Sequence, residues 1–220
     1  VSNPQSPVLL GSCDTPGSAY SVEVEGTIAF VADSEAGLQI IDVANPNNPV
    51  HINSYATSSH ACSVDIVATI AYVTNYYAGL QVIDVTNPHN PVLLGSYDTP
   101  GCARSVDVVG TTAYVADSDA GLQIIDVSNP QSSVQLGSFD TPGYARSIDI
   151  VDNTAYVADS DAGLQIIDIT NPHNPVLLSS YSAPEYAHSV DVLGTTAYVA
   201  GEDVDLQIID VSNPQSPVLL

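Results

Sequence analysis

Arg104 and Arg146 are the only fixed cations in a chain of 220 residues that carries 25 acidic side chains, for a formal net charge of −23. They occupy equivalent places 42 residues apart. A guanidinium is a planar fork of donors that fits a carboxylate or sulfate with parallel bonds. Two of them could clamp a carboxylate, a sulfate or an acidic sugar. The competing role is structural, neutralising carboxylates such as Asp117, Asp119, Asp159 and Asp161. His60, Cys62, Cys102 and His188 have suitable chemistry for zinc or copper. His60-Ala61-Cys62 lacks the spacing of paired ligands, however, so no metal site is expected from them. A bond between Cys62 and Cys102 would suit an exported protein, but spacing does not establish one.

The carboxylates are arranged just as regularly. A D-S-D-A-G stretch runs from Asp117 to Gly121 and from Asp159 to Gly163, and recurs from Asp33 to Gly37 with Glu35 in the middle. It resembles the start of a calcium loop but lacks the third carboxylate and the closing glutamate. The simpler reading is a turn whose aspartate caps its own backbone. Calcium is thus the one ion these loops would admit, and no cofactor is expected. Glu23, Asp65, Asp107, Asp149 and Asp191 form a second set, placed either to ring a channel or to bond between neighbouring units. No phosphate loop, nucleophile elbow or zinc-protease motif is present. Acidic pairs are too abundant in such a chain to argue for a glycosidase. No enzymatic activity is expected.

What must position these groups is a repeat. The aspartate of AGLQIIDVSNP recurs as Asp42, Asp84, Asp126, Asp168 and Asp210, and an Asn-Pro follows each three residues later. A fixed period of 42 residues marks a solenoid or a propeller. Within one unit lie four strand-like runs: a (ARSVDVV, 103–109), b (TTAYVAD, 111–117), c (LQIIDV, 122–127) and d (PVLLGSY, 91–97). Alternating patterns, β-branched residues and Gly, Pro and Asn punctuation define them, and no helical period appears. Four short antiparallel strands in a unit of this length make a propeller blade. The expected fold is all-β: one β-propeller domain over residues 1–220, of five four-stranded blades of 42 residues.

Residues 1–10 and 211–220 are identical. The opening d run, Pro7 to Ser12, is expected to pair with Leu206 to Val211 and close the ring, removing exposed edges. The terminal SPVLL competes for that edge, so exchange of terminal strands between two chains is a second outcome. The sequence opens in mid-repeat, as a trimmed or mature fragment would.

Leu38-Gln39-Ile40-Ile41-Asp42 and its four successors, with the Asn-Pro and the Ala-Tyr-Val-Ala-Asp run (Ala113 to Asp117), resemble the LVIVD-type repeat along essentially the whole chain. That resemblance implies a propeller-like fold of surface or exported proteins of bacteria and archaea. It brings no catalytic residue to carry over.

Differences between the copies concentrate in the d-a and b-c loops, which strand alternation places on one face. One d-a position reads Ser18, His60, Cys102, Tyr144 and Tyr186. Two residues later come Tyr20, Cys62, Arg104, Arg146 and His188. The b-c loop reads DSEAG, NYYAG, DSDAG, DSDAG and GEDVD. A constant frame with a variable rim is how such folds present binding sites. Tyr20, Tyr76, Tyr77, Tyr144 and Tyr186 map to that face, whereas Tyr72, Tyr114, Tyr156 and Tyr198 share a core position with Phe30. The expected ligand-binding set is therefore Tyr20, His60, Tyr76, Tyr77, Arg104, Tyr144, Arg146, Tyr186 and His188. Flat amphipathic rings suit a glycan or protein ligand. A surface this acidic repels nucleic acid and anionic lipid, and no apolar run is long enough for membrane insertion. The expected role is a non-enzymatic extracellular or cell-surface binding or scaffold module. The alternative is a structural array or self-assembling unit without a small-molecule ligand.

Overall fold

In each unit the first strand ends at a two-residue turn whose leading residue has positive φ. Glycine fills it at Gly26, Gly110 and Gly194 (φ 60, 64 and 63), where an added Cβ would meet nothing. Ala68 and Asp152 hold the same place at φ 56 and 53 without that freedom. The computed structural model describes residues 4–182, 186–202 and 206–220. The first blade is β1 (Ser21–Glu25), β2 (Ile28–Ala32), β3 (Leu38–Asp42) and β4 (Val50–Tyr55). The second is β5 (Ala61–Val67), β6 (Ile70–Asn75), β7 (Gly79–Asp84) and β8 (Val92–Tyr97). The third is β9 (Ser105–Val109), β10 (Thr112–Ala116), β11 (Leu122–Asp126) and β12 (Val134–Phe139). Then come β13 (Ser147–Val151), β14 (Thr154–Ala158), β15 (Leu164–Asp168) and β16 (Val176–Tyr181). The fifth has β17 (Ala187–Leu193), β18 (Thr196–Gly201), β19 (Leu206–Asp210) and β20 (Val218–Leu219).

Each group is one antiparallel meander of four strands, giving five blades in all. The first strands lie innermost and pack on one another in order: β1 on β5, β5 on β9, β9 on β13 and β13 on β17. Apolar side chains on both blade faces fill the junctions. Between the third and fourth blades, Tyr114, Ala116, Leu122 and Ile124 meet Ala145, Ile148, Ala155 and Val157. Tyr72, Tyr114 and Tyr156 are buried, as the shared position predicts. The repeated aspartates brace the Asn-Pro turn: Asp42, Asp84, Asp126, Asp168 and Asp210 each accept the N–H two residues on, at 2.8 Å.

The expected closure by the N-terminal strand is not what forms. Residues 7–15 form no strand, and β19 takes its outer partner from the C-terminus, pairing Ile209 with Leu219 and Asp210 with Val218. Identical sequences compete for that edge, so distance along the chain decides. Closing a loop of a few residues is about 3 kcal/mol less costly in entropy than closing one of roughly 200. The N-terminal stretch instead lies on the first blade. Cys13 packs against Ala29, Val31 and Ile41, and Gly11 abuts the carbonyl of Pro46 as Gly95 abuts that of Pro130.

The first and last blades keep one face open. Val22 is 58% exposed, whereas its counterparts Val64, Val106, Ile148 and Val190 are 4–6% exposed. Leu206 is 56% exposed, whereas Leu38, Leu80, Leu122 and Leu164 are fully buried.

Candidate functional site

The first strand of each blade delivers its N-terminal end to one mouth of the central channel, where a pocket of about 720 Å³ opens. Backbone bonds fix the approach. The N–H groups of Tyr20, Arg104 and Arg146 donate to the carbonyls of Ala32, Ala116 and Ala158 at 2.8–2.9 Å, so in the first, third and fourth blades this position leads directly into the inner strand with its side chain at the mouth. In the second and fifth blades the equivalent Cys62 and His188 sit at a register shift inside β5 and β17. Neighbouring blades are stitched just outside it. Ala61, Ala145 and Ala187 exchange two backbone bonds each with Ser34, Ser118 and Ser160, and those serines carry φ of 51–53.

Of the residues singled out by sequence, Tyr20, His60, Tyr76, Arg104, Arg146 and His188 line this pocket. Tyr77, Tyr144 and Tyr186 do not. They stand on the surrounding rim, 69%, 55% and 47% exposed. Five serines were missed: Ser21, Ser63, Ser105, Ser147 and Ser189 also line the pocket, one from each blade. Their signal was constancy at the 42-residue period next to a position that holds four residue types in five copies. Ser34, Glu35 and Cys62, none of them among the expected ligands, complete the lining. Part of the fifth b-c loop, residues 203–205, lies outside the described residues.

Neither arginine does what the structural reading expected. Among the described residues the only ion pairs are His60 with Glu35 at 3.4 Å and His188 with Glu202 at 3.5 Å. Arg104 donates from Nη2 to the Tyr76 hydroxyl at 3.1 Å and from Nε to Ser118 at 3.5 Å, with its guanidinium 5.0 Å from the Tyr76 ring centre. Arg146 donates from Nε to Ser160 at 3.4 Å. Both charges thus face the pocket held by neutral partners.

The carboxylates expected to pair with them are engaged elsewhere. Asp33, Asp117 and Asp159 each accept a threonine hydroxyl (Thr15, Thr99, Thr141) at 2.6–2.7 Å and a glycine N–H (Gly17, Gly101, Gly143) at 2.8–2.9 Å. These aspartates clasp the Asp-Thr-Pro-Gly type turn leading into the same blade rather than capping their own backbone. Both oxygens of Asp117 and Asp159 are thereby used, and the described residues contain no cluster of three or more metal-ligating side chains. The three cysteines are free thiols.

The second blade departs from this scheme. Asn75 replaces the clasping aspartate; it is fully buried, its Nδ2 donates to Val73, and its Oδ1 has no partner. Thr57 turns to the Ser59 carbonyl instead. The following Tyr76 and Tyr77 meet edge to face at 4.6 Å, and His60 lies 6.5 Å from Tyr77. Burial pushes the Tyr76 hydroxyl and the Cys62 thiol above their ordinary ranges, against the opposing pull of the Arg104 charge.

Deeper along the inner strands, three carboxylates join the blades, as one of the two sequence readings anticipated. Asp65, Asp107 and Asp149 accept the N–H of Val108, Ile150 and Val192 in the next blade, at 2.8, 2.7 and 2.6 Å. Burial, followed by the charges of Asp65 and Asp149, pushes Asp107 up to about 6, although the Ile150 N–H opposes the shift. Burial likewise raises Asp65 and Asp149.

The architecture is shared with solved propellers that have little sequence in common with this chain. A computationally designed protein, Ika8, superposes with a TM-score of 0.73 at 10% identity over 92% of this chain. The chain spans 60% of that protein's length. The β-propeller domain of Cps50 (Swd1) from Myceliophteria thermophila gives 0.74 at 11% identity, covering 94% of this chain and 72% of its own. A functionally unknown protein of Desulfotomaculum acetoxidans gives 0.74 at 14% identity, covering 94% of this chain and 70% of its own. No curated protein matches the sequence. The LVIVD repeat family matches at residues 1–15, 16–57, 58–99, 100–141, 142–183 and 184–220, which together span the chain. The protein therefore belongs to the LVIVD repeat family.

Proposed function

We propose that this propeller is a non-enzymatic binding module, exported or displayed at the cell surface, whose ligand is an acidic saccharide seated at the channel mouth. The observation that carries the reading is the state of the two arginines. In a chain of net charge −23, its only two fixed cations line one pocket and neither is matched by a carboxylate among the described residues. An anion arriving there completes two charge-assisted sites instead of competing for them. The serine hydroxyls below and the rim tyrosines around the pocket add hydrogen bonds and flat apolar contact of the kind a sugar ring uses. The surrounding negative field slows encounter, so affinity should rise with moderate salt before screening weakens the arginine contacts.

Isothermal titration with neutral, uronic-acid and sulfated oligosaccharides tests this. Binding confined to the charged sugars, and weakened about 10- to 100-fold by Arg104→Ala or Arg146→Ala, is the expected result. Binding that ignores both substitutions would sink the assignment.

A further inference from the structure

Arg104 and Arg146 are the same residue at the same register, yet their guanidinium groups end in different states. Each is anchored through Nε to a serine of its own blade's b-c loop, Ser118 or Ser160, which is buried and held at positive φ. The difference comes from the preceding blade. Ala103 donates its N–H to the Tyr76 carbonyl as Ala145 donates to that of Ser118, so Tyr76 and Ser118 hold corresponding places beside the two arginines. Arg104 therefore meets an aromatic ring. Its Nη2 donates to the Tyr76 hydroxyl at 3.1 Å, and its charge stands 5.0 Å from the ring centre. Tyr77, edge to face with Tyr76 at 4.6 Å, steadies that ring in turn. The place beside Arg146 holds only Ser118, whose hydroxyl already accepts from Arg104. Neither terminal nitrogen of Arg146 makes a bond among the described residues.

A guanidinium gives parallel bonds to a carboxylate or sulfate either along its Nε side or across its two terminal nitrogens. Ser118 and Ser160 occupy the Nε side of both arginines. Across the terminal nitrogens, Tyr76 takes one N–H of Arg104, whereas Arg146 keeps its whole fork for a ligand. The lining also limits the charge that fits. Its fixed charges are two guanidinium groups and the carboxylate of Glu35, an excess of one positive charge. One singly charged group balances that excess. A phosphate monoester, which carries close to two negative charges at neutral pH, overshoots it inside a strongly negative molecule.

We infer that the two arginines divide one ligand between them. Arg146 takes a single carboxylate or sulfate ester of the saccharide on its terminal fork. Arg104, fixed in place by Tyr76, supplies a stationary charge and a bond to the same sugar. Tyr76 is thus a positioning residue and not a stacking platform, because the guanidinium already stands over its ring. The kind of ligand rests on the saccharide reading; the inequality of the arginines rests on these contacts alone.

The two arginines are the only Lys or Arg residues in the chain, so NMR of isotope-labelled guanidinium groups shows two sets of signals, assigned with Arg104→Lys and Arg146→Lys. In the free protein Arg104 should rotate more slowly, and Tyr76→Phe should bring it to the rate of Arg146. Glucuronate and a sulfated glucose should bind about tenfold more tightly than a glucose phosphate and shift the Arg146 terminal signals most. Arg146→Lys should weaken glucuronate binding about tenfold, Arg104→Lys about threefold. Tyr76→Phe should also weaken it about threefold, an effect that vanishes in an Arg104→Ala background. Equal rotation rates, a ligand that shifts Arg104 most, or a Tyr76→Phe effect that survives without Arg104 would overturn the division even with the sugars bound. Tighter binding of the glucose phosphate would overturn the single charge. If Tyr76→Phe does not fold, equal losses from the two lysine variants would overturn it instead. Acetate separates the two readings: if no sugar binds but acetate shifts Arg146, the saccharide reading falls and the arginine assignment stands. If acetate shifts neither arginine, both fall.

Discussion

Replacing Asp107 with asparagine removes a charge from the channel wall while retaining an oxygen that can accept the Ile150 N–H. The folded carboxyl titrates at about 6, against 3.8 for the free group. At 1.36 kcal/mol per unit, that difference corresponds to a ceiling of about 3 kcal/mol. Asp107 is only partly buried, so solvent screening brings the expected figure to about 1–2 kcal/mol. The neutral hydrogen bond, weaker than the one to carboxylate, returns part of it. The sign follows from proton uptake. Between pH 6 and 3.8 the folded state holds this proton more firmly than the unfolded one, so wild type gains stability as pH falls through that window. Asp107→Asn has no such gain to make. It should exceed wild type by about 1 kcal/mol at pH 7, a rise of roughly 2–4 °C in melting temperature for a chain of this size, and match it near pH 4. Acid also relieves the general repulsion of a strongly negative chain, but it does so in both proteins, so the difference between them is the readout. Urea melts followed by circular dichroism at pH 7, 5.5 and 4 measure it. A variant less stable than wild type at pH 7, or a difference independent of pH, would refute the account of the inter-blade carboxylates. Further acidification reverses the trend. Asp84, Asp126, Asp168 and Asp210 titrate below their ordinary range because neighbouring N–H and hydroxyl groups bond their charged forms. Their stabilisation is present above pH 3.8 and lost as pH drops through those lowered values.

Ala68→Gly should stabilise the protein by about 0.5–1 kcal/mol, because φ of 56 is strained for alanine and glycine already fills that place in three blades; thermal melts check it, and a loss of stability would contradict the turn assignment. Asn75→Asp restores the aspartate found in the first, third and fourth blades, yet should cost about 3 kcal/mol at pH 7. In the second blade the Thr57 hydroxyl is turned to the Ser59 carbonyl and Ser59 replaces the glycine, so the charge would enter a fully buried site without the donors that hold it in the other blades. Equilibrium unfolding decides between that cost and the gain a consensus argument would expect. Thr141→Val should cost about 1–3 kcal/mol by leaving Asp159 without its 2.6 Å partner, and should raise susceptibility to proteolysis at the turn around Gly143.

The blades were legible in the sequence because each strand carries its own punctuation. Gly110 ends the a run, the Asn-Pro ends the c run, and LQIID reads as a strand buried on both faces, with the observed boundaries within two residues of those expected. The outer partner of β19 was not legible, because residues 1–10 and 211–220 are the same ten letters and only loop entropy tells them apart. Arg104 and Arg146 were placed correctly on the channel mouth, but their partners were misjudged. A list of acidic neighbours does not reveal that Asp117 and Asp159 have already spent both oxygens on threonine and glycine donors. Tyr77, Tyr144 and Tyr186 fall outside the pocket because loop side chains follow no period that fixes their direction. The serine row escaped notice for the opposite reason: an unvarying position offers no contrast between copies.

The same aspartate clasp, glycine contact and apolar seam recur from one blade to the next, which has a consequence for how such a protein changes size. Duplicating or deleting a whole 42-residue unit requires no new interface to be invented, only one more use of an existing seam. The number of units then sets how wide the channel opens, and the few residues at the start of each inner strand set what it can hold. Bore and chemistry can therefore vary separately, one by recombination and the other by point substitution.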